Sequence, residues 1–375
     1  MKKVILSLVV ASSILFSCSD DDPVIDNPFV VDVPDTYVFS RGGESTVSFG
    51  GQTSRLEMAA SLMGQLNSEN VSSSDLLTMF NDGTGFADAE LNSSGKKLGN
   101  KTAAYGDESV VEVIRGFITE YADDVSTSFS TDADAGVAGS HTGAGGRTVR
   151  INGKGMELNQ VFAKSLIGAL VMDQVAYGYL SAKKIGDDDE NVTLEDGKNY
   201  TKMEHHFDEG FGYVYGQESD ITAAASPDGS GVLFAKYLKK VNSSEEPGIA
   251  AEIYDAFKKG RAAIVANDSE LRDAQAEIVK TKMSRVILHK AAYYLRGAAE
   301  AKAAKDVDYA DYFHGLSEGY GFVLSLQFTY DANGVSYFSH AEVNTMLTTL
   351  EAGNGFWDRS PEELNNMAAQ IEAKL

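Results

Sequence analysis

Two stretches of the sequence resemble each other and decide how the chain is interpreted: "YTKMEHHFDEGFGYVYG" at residues 200–216 and "YADYFHGLSEGYGFVLS" at residues 309–325. Aligned without a gap, they share Tyr200/Tyr309, His205/His314, Glu209/Glu318, Gly210/Gly319, Gly212/Gly321 and Val214/Val323. The chain contains only six histidines. Two of them at matching positions indicate that the two stretches share a role.

The spacing of the shared histidine and glutamate is helical. Residues four apart lie one turn apart on one helix face, so His205 lies beside Glu209 and His314 beside Glu318. If the two helices face each other, the four side chains converge on a site for iron or zinc, since both metals accept imidazole nitrogen and carboxylate oxygen. Alternatively, each pair is a buried polar contact that keeps a helix crossing in register. Both interpretations stay open here.

Three further residues are candidates for supporting such a site. The tripeptides "VAY" and "AAY" occupy comparable places in the two long helices that precede the motifs, which aligns Asp173 with His289. Either residue would complete a coordination sphere or orient a ligand imidazole. His206 is a weaker candidate. It occurs in the first copy only, like Glu204 and Asp208, and we expect these three residues to make surface or loop contacts.

The shared glycines predict close packing. Gly212 and Gly321 each follow the histidine of their motif by seven residues, and therefore lie on the same helix face. A glycine costs about 1 kcal/mol in a helix interior, but it lets another helix approach closely. The pattern predicts that both copies meet in a tight helix crossing.

The rest of the chain indicates a mainly α fold. Residues 36–49 predict a short N-terminal β-hairpin, which we expect to be the only sheet, and the glycine-rich residues 135–155 predict a loop. Two helix pairs, at about 156–216 and 269–328, predict an internally duplicated helical bundle. The bundle and the hairpin are expected to form a single domain over residues 35–375.

The N-terminus predicts a lipoprotein. Residues 1–17 have a Lys2-Lys3 start and a short apolar run, which is typical of a secretory signal peptide. The peptide ends in a stretch that resembles a bacterial lipobox, so Cys18, the only cysteine, is the predicted lipidation site and membrane anchor. Residues 18–34 form an acidic tether. Its "SDDD" run resembles an export signal to the outer face of the outer membrane; the alternative is a periplasm-facing lipoprotein with a solvated linker.

The charge of the chain argues against nucleic acid as a partner. The formal net charge is −23, so the protein repels phosphate backbones. We also expect no basic patch, and cations or cationic partners fit better. The sequence contains no HExxH motif and no GxSxG motif, so it assigns no catalytic residue and leaves the question of an enzyme open.

Three segments in order, "ELNQVFAKSLIGALVMDQ", "KMEHHFDEGFGYVYG" and "HGLSEGYGFVLSLQF", resemble the bacterial lipoprotein family known as domain of unknown function 4856. That family resembles the imelysin-like proteins, which are duplicated helical bundles associated with iron uptake and once classed as metallopeptidases. Of their G-x-H-x-x-E signature, His206 and Glu209 match. Glu204 stands in place of the glycine, and Gly315 replaces the histidine in the second copy.

The resemblance implies a binding role in iron, other metal or haem acquisition, alongside an outer-membrane transporter. His205, Glu209, His314 and Glu318 are the candidate metal ligands. One alternative is a metal-dependent peptidase with Glu209 or Glu318 as the base. The other is a metal-free scaffold that binds a protein or a glycan.

Overall fold

A computed structural model describes residues 30–186 and 188–375. The predicted signal peptide, Cys18 and the tether up to residue 29 lie outside the described residues. All elements below belong to the unit Val31–Leu375. Among the described residues, no helix combines the length and the apolar character that a membrane span requires.

The predicted mainly α fold class is confirmed. The helices are α1 (Gly50–Gln65), α2 (Ser73–Asp82), α3 (Ala89–Ser93), α4 (Ser109–Glu120), α5 (Leu158–Leu166), α6 (Ala182–Ile185), α7 (Lys202–Tyr215), α8 (Phe234–Ser243), α9 (Ile249–Ala266), α10 (Ser269–Ala303), α11 (Tyr309–Ser325), α12 (His340–Glu351) and α13 (Pro361–Glu372). The π-helical segments Tyr121–Val125 and Ile167–Tyr179 continue α4 and α5. The two motif stretches are α7 and α11.

The N-terminal hairpin forms as predicted, from β1 (Ser40–Arg41) and β2 (Glu44–Ser45). The expectation of a single sheet was wrong, because β3 (Gly139–Thr142) and β4 (Thr148–Ile151) form a second antiparallel hairpin within the predicted glycine-rich loop. The physical reason is the alternation in β4, where Val149 and Ile151 are buried. This second hairpin packs against α11.

The centre of the bundle is built by α5, α10 and α11. Helix α10 packs against α9, α11 and α13, while α11 also packs against α5. Helix α5 and its π-helical continuation are buried almost throughout, which explains why their sequence is apolar on every face. Near the C-terminus, Ser360 and Glu363 form a capping box at the start of α13.

A buried ion network ties the N-terminal hairpin to α7 and α9. The guanidinium of Arg261 in α9 is fully buried and donates to Asp208 at 3.0 Å, to Glu204 at 3.0 Å and to Thr46 at 3.1 Å. Arg41 also donates to Glu204. The expectation that Glu204 and Asp208 make surface or loop contacts was wrong about the surface, since both are buried. Their cationic partners lie far away in the sequence, so spacing along α7 gave no sign of them.

Replacing Arg261 by alanine is expected to destabilise the protein strongly. The change leaves the carboxylates of Asp208 and Glu204 buried without their shared cation, and loss of one partner of a buried ion pair costs about 3–5 kcal/mol. Urea denaturation followed by circular dichroism measures the free energy of unfolding. Lys259→Ala, at an exposed position of the same helix, is the control and should have little effect. Equal free energies for both variants would contradict this role of Arg261.

Candidate functional site

The first motif pair lies near the surface between α7, α1 and the N-terminal hairpin. Nδ1 of His205 is 3.0 Å from the carbonyl oxygen of Ser48. A carbonyl oxygen only accepts, so Nδ1 carries the proton and Nε2 is left facing Glu209, 4.0 Å from Oε1. The same carboxylate oxygen accepts a hydrogen bond of 2.8 Å from the amide of Gln52. The imidazole also stacks on Tyr200, with ring centroids 4.7 Å apart.

The second pair has the same arrangement with charged partners. Nδ1 of His314 is 2.6 Å from a carboxylate oxygen of Glu157, and Nε2 is 3.9 Å from Glu318. The ammonium of Lys164 lies 2.9 Å from Oε1 of Glu318. The hydroxyl of Tyr237 donates to the same oxygen at 2.9 Å. Each histidine is therefore held through Nδ1 and faces its glutamate with Nε2.

Glu318 and Lys164 form a buried ion pair. Burial opposes ionisation of Glu318, but the charge and the hydrogen bond of Lys164 outweigh it and, with His314 and Tyr294, lower the pKa of the carboxyl to about 2. Burial lowers the pKa of Lys164, while the nearby Glu318 carboxylate acts in the opposite direction. At neutral pH, the ammonium group of Lys164 would repel a metal ion that approached Glu318.

The four candidate ligands do not form one metal centre. Within residues 30–186 and 188–375, no three His, Cys, Asp or Glu side chains form a group that would hold a metal ion. His205 with Glu209 and His314 with Glu318 are two separate pairs. The physical reason is packing: α7 crosses α1, whereas α11 crosses α5. A bare metal ion held by all four side chains therefore does not fit this structure.

The glycines of the motifs allow these crossings, as the sequence predicted. A Cβ atom on Gly212 would lie 2.4 Å from Cβ of Phe49 beside α1, and one on Gly321 would lie 2.5 Å from Cβ of Lys164 in α5. Real Cβ atoms need more than 3 Å. The requirement for close packing is confirmed, but the expectation that the two copies meet each other was wrong, since each meets a different helix.

A second pair of shared glycines makes parallel contacts. A Cβ on Gly210 would contact Leu180 and then Tyr179, at the end of the π-helical segment, and a Cβ on Gly319 would contact Tyr294 in α10. Burial raises the pKa of both tyrosines, and the glutamate of the same motif, Glu209 or Glu318, shifts it in the same direction. The internal repeat itself stays a prediction.

The two sites differ in the nitrogen donor that reaches the glutamate from the crossing helix. In the first copy the donor is the neutral amide of Gln52, and in the second it is the ammonium of Lys164. The second glutamate therefore has a buried ammonium group as its partner, whereas the first has a neutral amide.

Asp173, a predicted supporting residue, is used to hold a loop. It is fully buried and accepts hydrogen bonds of 3.2 Å from the backbone N–H of Tyr105. Burial raises the pKa of its carboxyl to about 7, against the opposing effect of these hydrogen bonds. Asp173 thus fixes the segment before α4.

The other two supporting candidates also have partners of their own. Nε2 of His289 lies 3.1 Å from Glu246, which also accepts a hydrogen bond of 2.7 Å from Arg285. Nδ1 of His206 is 3.0 Å from the carbonyl oxygen of Lys184. Burial lowers the pKa of His206. The expectation of a surface or loop contact for His206 was wrong, because the side chain is buried and its partner Lys184 belongs to the short helix α6.

Sequence reasoning missed a cationic cleft beside the second pair. The cleft has a volume of about 690 Å³. It is lined by α8, by the middle of α10, by α11, by the turn of the second hairpin and by the loop before α8; the lining residues are Arg147, Asp228, Gly229, Lys236, Lys239, Lys240, Ser243, Ser244, Lys290, Tyr293, Tyr294, His314 and Glu318. Five of these side chains are cationic and two are carboxylates.

The expectation that the protein has no basic patch was therefore wrong. Lys290 and Arg147 come from distant parts of the chain and join the others only through folding. The available signal was in α8, which the sequence analysis did not identify as a helix. There Lys236, Lys239 and Lys240 are spaced by three and four residues and share one helix face.

The crossing of α11 and α5 is tested by two glycines of the same helix. Gly321→Ala would overlap the side chain of Lys164 and the backbone of α5, and overpacking of this kind lowers the free energy of unfolding by about 1–3 kcal/mol. Gly315→Ala meets nothing within 4 Å and should raise it by up to about 1 kcal/mol through helix propensity. Urea denaturation measures both. Equal effects of the two variants would contradict the close crossing.

The raised pKa of Asp173 predicts a pH dependence of stability. The folded carboxyl binds its proton more tightly than the unfolded one, since its pKa is raised from 3.8 to about 7. Its contribution is therefore most favourable below pH 3.8 and is lost as the pH rises through about 7, by up to about 4 kcal/mol. Asp173→Asn removes this component but keeps an oxygen that accepts from Tyr105. The unfolding free energy of the variant minus that of the wild type should therefore be more positive at pH 8 than at pH 5.

Urea titrations at both pH values check this prediction. Asp123→Asn, at an exposed position, is the control and should leave the pH dependence unchanged. A variant at Asp173 whose stability changes with pH in the same way as the wild type would show that the carboxyl titrates normally.

Comparison with known proteins agrees with the motifs. The chain matches the model of the family described as Domain of unknown function (DUF4856) over residues 34–375. No curated protein and no solved structure matches it. The match covers most of the chain, including both motif helices and every side chain that lines the cleft. The protein therefore belongs to the DUF4856 family.

Proposed function

We propose that this protein is a binding protein of the cell envelope, anchored by a lipid on Cys18, that takes part in metal acquisition. Its ligand site is the cleft beside His314 and Glu318. The observation that carries this proposal is the place of the cleft: it opens directly onto the repeated histidine–glutamate pair. The signal peptide and lipobox-like sequence support the envelope location, and with it an outer-membrane transporter as partner.

The chemistry of the second pair favours binding over catalysis. A general base works best when its pKa lies near the working pH. The pKa of Glu318 is lowered to about 2, where burial is outweighed by Lys164. Glu209, the base of the alternative peptidase hypothesis in the first copy, accepts a hydrogen bond from Gln52. Neither arrangement supports the hydrolytic alternative.

The metal in this proposal arrives as a complex with an organic molecule. A bare ion lacks a group of three ligands among the described residues. A complex would bring most of its own ligands and would need only shape, hydrogen bonds and charge from the protein. The cleft volume of about 690 Å³ lies within the range of small-molecule sites.

Equilibrium dialysis of the mature lipoprotein in detergent tests the proposal. The chain should retain iron supplied as ferric citrate, while free Zn²⁺ and Fe²⁺ should be lost on washing. His314→Ala should weaken retention by about tenfold, which corresponds to loss of one charge-assisted contact. His205→Ala, the counterpart in the first copy and outside the cleft, should leave it unchanged.

Two results would contradict the proposal. Stoichiometric binding of free zinc or iron that disappears in both histidine variants would mean a shared metal centre. If ferric citrate binds no better than free iron, a metal complex is not the ligand.

A further inference from the structure

We infer that the cleft recognises a small organic polyanion, bearing several carboxylate or phosphate groups, through the lysines of α8 together with Lys290 and His314. The inference deepens the proposed function, since it names the chemical class of the ligand for the same site. It rests on four observations: unpaired lysines, their mutual repulsion, an exposed aromatic ring and the overall charge of the chain.

The lysines of α8 have hydrogen-bond donors to spare. Within the described chain, no carboxylate lies within ion-pair distance of Lys236, Lys239 or Lys240. Lys239 donates to the backbone carbonyl of Asp228 at 2.7 Å, and Lys240 donates to the hydroxyl of Tyr294 at 3.3 Å. An ammonium group has three donors, so each of these lysines retains capacity for anionic oxygens.

The other two cations that line the cleft are already paired with carboxylates. Lys290 pairs with Glu245, and the guanidinium of Arg147 lies 2.7 Å from Asp311. Lys290 can still donate to a ligand, because its pair with Glu245 uses only one of its three protons. The net attraction for an anion therefore comes mainly from α8.

The lysines repel each other at close range. Burial lowers the pKa of Lys240, and Lys236 and Lys290 shift it in the same direction, while Glu318 opposes them. Lys236 also contributes to lowering the pKa of Lys164. Like charges within a Debye length of about 8 Å are only partly screened at physiological salt. A bound anion would relieve this repulsion, which gives it a source of affinity.

The cleft also offers an apolar surface. Tyr293 is 55% exposed, and the ammonium of Lys290 lies 4.3 Å from the centroid of its ring. Tyr294 is fixed behind it by stacking on Phe322, with ring centroids 5.7 Å apart. A cleft of about 690 Å³ with an exposed ring is larger than a single inorganic ion requires. An organic skeleton that carries the anionic groups fits it better.

The overall charge limits the size of the ligand. Outside the cleft, a chain with a net charge of −23 repels a polyanion that extends beyond the lysines. A nucleic acid or a long acidic polysaccharide would meet this repulsion along its whole length. A compact molecule that lies within the cleft would not. The local lysine cluster and the global charge together select a small ligand.

Calorimetric titration of the mature lipoprotein with metal-free citrate and with pyrophosphate tests the inference. Maltotriose is the uncharged control. At least one anion should bind, and raising the salt concentration should weaken binding, since the contacts are between charges. Maltotriose should give no heat of binding. The preferred anion tells carboxylate chemistry from phosphate chemistry.

A charge-matched pair of double variants locates the site. Lys236→Gln/Lys240→Gln should weaken anion binding by at least about tenfold. Lys259→Gln/Lys305→Gln removes the same charge at exposed positions outside the cleft and should change binding by less than about twofold. Thermal unfolding of both variants confirms that they are folded.

The outcomes separate this inference from the proposed function. No binding of citrate or pyrophosphate at low salt, or equal weakening in both double variants, overturns the polyanion site. If citrate binds through the α8 lysines and ferric citrate binds no tighter than citrate, the polyanion site is supported and the metal role is contradicted. Ferric citrate that binds equally well without the α8 lysines supports the metal role and overturns the inference.

Discussion

The buried ion pair between Lys164 and Glu318 determines what the second motif does. The pair joins α5 to α11 at 2.9 Å, and the same carboxylate oxygen accepts from Tyr237. It keeps Glu318 ionised in a buried place, with a pKa lowered to about 2 because Lys164 outweighs burial. It also places a positive charge behind the cleft. A carboxylate held in an ion pair in this way is a poor metal ligand and a poor base, but it orients the side chains of Lys164 and Tyr237.

That ion pair depends on one residue without a side chain. Gly321 brings α11 so close to α5 that a Cβ atom would overlap Lys164. Gly212 serves the same purpose where α7 meets α1, and there the donor is Gln52. The two motifs thus share a packing solution and differ in one donor. Packing of this kind is strict about shape, whereas the donor is a neutral amide in one motif and an ammonium group in the other.

Much of the fold was predictable from local patterns, because helix periodicity, the Ser360 capping box and the shared glycines act over a few residues. What the sequence missed depends on contacts between distant segments. The partner of Asp208 is Arg261, and the partner of Glu318 is Lys164. No spacing rule connects either pair. The alignment singled out the histidine–glutamate pairs, and it took similar sequence as a sign that the two pairs converge in space, which they do not.

The claim that Glu318 is committed to Lys164 is tested most directly by a double-mutant cycle on the free energy of unfolding at pH 7, with Lys164→Met, Glu318→Gln and the double variant. Each single change leaves one buried partner unsatisfied and should cost about 3–5 kcal/mol. The double variant should cost much less than the sum, with a coupling energy of about 2–3 kcal/mol. Additive effects would contradict the account, because they would mean that Glu318 is free to serve another partner.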